Sequence, residues 1–193
     1  MIKLGRPGAR LIDGNGIREG AAPTVTWGRS EKLILTAAGL GVLHHVDHVL
    51  RFDHSGWPFR PEVSPFTYSL LVYPVLLAVL VLRSHPWLRV ALMVLVYIAV
   101  QSAHIFFEPP SHQYGTWADG VGETPSGAHP PNLLHLASPV VGALSATLSV
   151  VLSLVTIAAT VSLILDARRS ALTAEADQSR PSVPPGGSLT LAD

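Results

Sequence analysis

Between Leu43 and His54 the chain reads LHHVDHVLRFDH, which puts four histidines, two aspartates and one arginine into twelve positions. Imidazole nitrogens and carboxylate oxygens are donors to zinc, copper and iron. Cysteine is absent, so thiolate ligation, disulfides and a cysteine nucleophile are excluded. At roughly 100° per residue, His44, Asp47, His48 and Arg51 share a helical arc of about 100°, while His45 points farther round. His44 and His48 are spaced to ligate one ion from successive turns. Asp47 is a candidate ligand, an orienting partner for a ligating imidazole, or the charge partner of Arg51.

A second stripe runs through Tyr97, Gln101, His104 and Glu108, at intervals of four, three and four residues. His104 and Glu108 repeat the spacing of His44 and His48. In the segment PPNLLHLASP, the sequence predicts Asn132 as a helix cap, His135 one turn in, and Pro139 as a bend. Together these predict a metal centre with His44, His48, His104 and His135 as ligands and Asp47 and Glu108 as the groups that move protons. Zinc held by three histidines and a water would supply hydroxide near neutral pH. The same donors admit copper or iron, and two helix-borne histidines admit a haem clamped from both faces. In ligand type and helix-end placement alone, His44, Asp47, His48, His104 and His135 resemble membrane metal hydrolases of the alkaline-ceramidase class. That resemblance implies lipid amide hydrolysis; it does not extend to the family's ordered motifs or its seven spans.

The elements that must position these residues are apolar. The chain is 48% hydrophobic and 13% charged, about half the charge of a soluble domain. Apolar runs at 33–50, 66–82, 87–107 and 133–165 approach or exceed the roughly 17–25 residues that cross a bilayer. They predict an all-α integral membrane protein, a compact four-transmembrane-helix bundle over 33–165. A cytoplasmic N-terminal segment (1–32) precedes it and a flexible cytoplasmic tail (166–193) follows. On this topology eleven of thirteen basic residues lie on one side, which makes that side and both termini cytoplasmic. Eight of nine histidines then lie at the extracytoplasmic face. No cleavable signal segment is visible before the first run. Polar stripes are costly in lipid and should face protein or a wet cavity. Ser138, Gly142, Ser145, Ser149, Thr156 and Thr160 form a stripe of small residues suited to close helix contact.

These features point to a small membrane metalloenzyme acting on an amphipathic or lipid-soluble substrate at the extracytoplasmic side, with hydrolysis one reaction open to it. The alternatives are a metal- or haem-binding module for transport, sensing or electron transfer, and a structural subunit of a homo-oligomer or of another membrane partner. Thirteen acidic residues balance thirteen basic ones, and neither GRPG nor DGNG forms a phosphate loop, so no nucleic-acid partner is expected.

Overall fold

A computed structural model describes residues 26–52, 57, 64–122 and 131–179. His54 and His129 lie outside the described residues. Six helices make up most of the described chain: α1 Arg29–Arg51, α2 Ser64–Ser69, α3 Val72–Val81, α4 Pro86–Phe106, α5 Pro110–Ala118 and α6 Pro139–Gln178. The all-α fold with long apolar helices expected from the sequence is present, but among the described residues three helices rather than four are long and apolar enough to cross a membrane: α1, α4 and α6.

The second apolar run is broken into α2 and α3. Pro74 accounts for the break: it has no N–H to give Leu70, and its ring crowds the carbonyl four residues back. The chain turns at Leu70 and Leu71 instead, with Tyr73 N bonding to Leu70 O at 3.2 Å.

The last helix begins at Pro139 rather than near Leu133. Ser138 is its N-cap, its hydroxyl accepting from Val141 N at 3.3 Å. Pro139 then sits in the first turn, where a missing N–H costs nothing, and bends nothing. Asn132 closes the preceding loop, bonding Leu136 N at 3.0 Å and Leu136 O at 2.7 Å through its two amide atoms. α6 runs for 40 residues to Gln178, about 60 Å of helix. The segment from Asp166, expected as a tail, therefore begins as a continuation of this helix.

α6 is the spine against which α1, α4 and α5 pack, and α3 packs on α4. Ile34, Leu76, Val79, Met93, Ala159 and Leu163 form the apolar core, in the half of the bundle that carries Arg29 and Arg89. A polar clasp closes that end. Arg89 donates to Glu31 at 2.8 Å and to Val79 O at 2.7 Å, and Ser30 lies 2.7 Å from Ser162 Oγ and donates to Asp166. Leu43, Val46, Leu95, Ile98, Leu144 and Leu154 are exposed, as a lipid-facing surface requires.

The small stripe of α6 is buried at Gly142, Ser145, Ser149, Thr156 and Thr160. Its tightest contact is with α5: a Cβ on Gly142 would stand 2.6 Å from the backbone oxygen of Tyr114. Because the obstacle is backbone, Gly142→Ala is expected to destabilise the fold by about 1–3 kcal/mol, the usual range for overpacking. Unfolding in detergent micelles measures this, and an unchanged midpoint would remove the seam between α5 and α6.

Candidate metal centre and membrane cavity

At the end of the bundle away from the Arg89 clasp, α1 and α4 bring His44 and His104 together, both buried. Their Nε2 atoms are 3.4 Å apart. A chain of hydrogen bonds behind His44 sets its tautomer. Gln113 of α5 donates its amide to Glu108 O at 3.2 Å, which turns its carbonyl oxygen toward Ser149 of α6. Ser149 donates to that oxygen and so accepts, at 3.2 Å, from His44 Nδ1. The proton of His44 is held on Nδ1, and Nε2 presents a lone pair toward His104. An N–H held from behind is the usual arrangement of a metal-ligating imidazole.

Beside this pair lies a buried charged cluster. Asp47 accepts from Arg51 Nε at 2.8 Å, from Trp117 Nε1 at 2.8 Å and from Ser145 Oγ at 2.7 Å. Arg51, with a fully buried side chain, also pairs with Glu108. Glu108 in turn stands 3.7 Å from His48 Nε2. Asp47, Arg51 and Glu108 together carry one net negative charge when ionised. α4 ends at Phe106 before the Pro109–Pro110 pair, so Glu108 belongs to the turn after the helix, its N–H bonded to Ala103 O at 3.0 Å. It nonetheless reaches the same cluster. His48 is stacked between Phe52 and Phe66, with ring centroids 4.4 and 4.9 Å away.

These groups open onto a cavity of about 680 Å³ between α1 and α4, floored by Leu152 and Thr156 of α6 and covered by α2 and α3. Its deep part is apolar, with Ala37, Ala38, Leu76, Val96 and Val100. Its mouth is polar, with His44, His45, His48, His104, His112 and Glu108. No protein-family model matches the chain, and no curated protein or solved structure matches it.

Of the residues picked from the sequence, His44, His48, His104 and Glu108 line this one cavity. Asp47 stands behind it, and both its oxygens are taken by Arg51, Trp117 and Ser145, which suits a structural anchor better than a proton carrier. His135 is exposed, with φ 51°, in the loop before α6 and outside the cavity lining. It is apart from the others because α6 starts four residues after it. Among the described residues no group of three or more histidines or carboxylates is placed to share one ion, and His44 and His104 are the two site imidazoles whose Nε2 atoms face each other. Gln101 bonds Ser153 of α6 at 2.9 Å and ties helices together instead of lining the cavity.

Sequence reasoning missed the site roles of Gln113 and Trp117 on α5 and placed His112 in a loop, because that stretch reads as one. Two signals were available: the Pro109–Pro110 pair, which suits a helix start, and the i, i+4 spacing of Gln113 and Trp117.

Proposed function

We propose that this protein is a small integral membrane metalloenzyme whose cavity takes an amphipathic or lipid-soluble substrate, with the ion held by Nε2 of His44 and His104. The observation that carries the reading is the 3.4 Å between those nitrogens at the polar mouth of an otherwise apolar cavity. Two imidazoles bound to one tetrahedral zinc at about 2.0–2.1 Å stand about 3.3–3.4 Å apart. A haem clamped between the same two rings would require them to separate by the thickness of a macrocycle, so a bare ion is the better fit. Zinc comes first, and copper or iron use the same donors.

His44 and His104 would hold the ion, and the apolar part of a substrate would lie among Ala38, Leu76 and Val96. A metal held there would supply Lewis-acid activation of a carbonyl and of water, the chemistry of hydrolysis. Glu108, paired with Arg51, 3.7 Å from His48 and on the cavity wall, is our candidate to carry the proton. With α2 and α3 returning the chain between α1 and α4, the distribution of Lys and Arg favours the extracytoplasmic face for this mouth and the cytoplasm for both termini.

The test is zinc titration of detergent-purified protein, followed by copper and iron. One ion per chain is expected. If no ion binds specifically, the metalloenzyme reading fails.

A further inference from the structure

A different part of the cavity wall, where α1 meets α2 and α3, carries a second reactive arrangement. His45 Nε2 is 2.8 Å from Ser69 Oγ, and His45 Nδ1 is 2.8 Å from both Gly41 O and Tyr73 Oη. Gly41, His45, Ser69 and Tyr73 all line the cavity. A carbonyl oxygen only accepts hydrogen bonds, so Gly41 O holds the imidazole proton on Nδ1, where Tyr73 Oη shares it as a second acceptor. Nε2 is thereby left with its lone pair facing the Ser69 hydroxyl. That hydroxyl has two acceptors within reach, Phe66 O at 2.6 Å and His45 Nε2, and rotation about its Cβ–Oγ bond moves the proton between them. A hydroxyl, an imidazole that accepts from it, and a third group that orients the imidazole make up an activated nucleophile.

We propose that Ser69 and His45 are the nucleophile and general base of an acyl-transfer site for single-chain, long-chain acyl esters. Ser69 Oγ bonds to the acyl carbon as its proton passes to His45 Nε2. The ester C–O bond then breaks, and the alcohol leaves with that proton. Water, deprotonated by the same nitrogen, cleaves the acyl–serine bond to give the carboxylic acid and free Ser69.

The surroundings select the substrate. From His45 down to Ala37 the cavity follows eight residues of α1, about 12 Å, with apolar walls that suit one hydrocarbon chain. Among the described residues no lysine or arginine lines it, and a neutral ester carbonyl suits these walls better than a phosphate or carboxylate head. The proposal rests on the cavity being an amphiphile site and is independent of the ion at His44 and His104.

A long-chain alkyl fluorophosphonate tests it on the full chain in detergent. Attack by Ser69 forms an O–P bond, expels fluoride and leaves a covalent adduct that peptide mass spectrometry locates. The adduct is expected on Ser69, unchanged by a chelator. His45→Gln keeps a polar group between Ser69 and Tyr73 but takes up no proton, and is expected to slow adduct formation by roughly 10²–10⁴-fold. Ser69 left unmodified, or modified at the same rate in His45→Gln, overturns the proposal. Binding of a long-chain alcohol to the same preparation reports the cavity itself. Alcohol binding without an adduct overturns the nucleophile alone, and absence of both overturns the amphiphile site as well.

Discussion

Asp47→Ala is expected to destabilise the fold by about 3–5 kcal/mol, the range for removing one partner of a buried ion pair. The carboxylate joins three helices. It accepts from Arg51 on its own helix, from Trp117 on α5 and from Ser145 on α6. Alanine leaves the indole N–H and the serine hydroxyl without an acceptor where little water reaches them. It also leaves the Arg51 guanidinium, whose side chain is wholly buried, with half its opposite charge. Asp47→Asn keeps one carbonyl oxygen and should lose less. Denaturant unfolding in micelles, followed through Trp117 and the other tryptophans, measures both. If Asp47→Ala unfolds at the wild-type midpoint, the carboxylate does not join the helices as described. Because Asp47 stands behind the cavity, any fall in ion binding should follow the loss of folded protein, with occupancy per folded molecule unchanged.

His104→Ala should show the opposite pattern. Removing one of two imidazole donors is expected to weaken zinc binding by more than the roughly 10–100-fold that accompanies loss of a hydrogen-bond partner behind a ligand. The fold should survive, because α4 keeps the apolar residues that place it in the membrane and packs on α6 over a long stretch. His112→Ala is the control. His112 lies at the exposed rim of the same cavity, and its loss should leave the affinity within a few-fold of the wild type. Zinc titration of both variants, scaled to folded protein, separates the cases. Equal affinities for His104→Ala and wild type would exclude His104 as a ligand, and equal losses in the two variants would point to a diffuse histidine surface.

The long helices and the meeting of His44 with His104 were legible because both rest on simple periodicities. Apolar runs of about twenty residues mark α1, α4 and α6, and polar residues on such helices have nowhere to go but inward. His135 was misplaced for a local reason. Leu133, Leu134 and Leu136 look like the opening turn of a helix, yet Ser138 followed by Pro139 is the stronger start signal, and the leucines stay exposed in the loop. The role of His45 could not be read from its own helix. Its direction away from His44 counted against it, and its partners Ser69 and Tyr73 meet it only because the second apolar run breaks. Pro74 was visible in the sequence, but its effect on Leu70 and on the aim of Ser69 depends on where α3 packs. α5 was hidden because nine residues with few aliphatic side chains resemble a loop until Gln113, Thr116 and Trp117 are seen buried.

The broken helix pair also acts on the surrounding lipid. The apolar stretch Phe66–Val81 rises at most about 24 Å, against a hydrocarbon core of about 30 Å. Where it faces lipid, local thinning of the bilayer is one way to meet it, at a modest cost per ångström of mismatch. Thinning draws the glycerol level of the leaflet toward the midplane beside α2 and α3, the helices that cover the cavity. The hydrophobic mismatch would thus bring the ester level of the leaflet toward the depth of Ser69 and the histidines, a short path for an amphiphile entering the cavity.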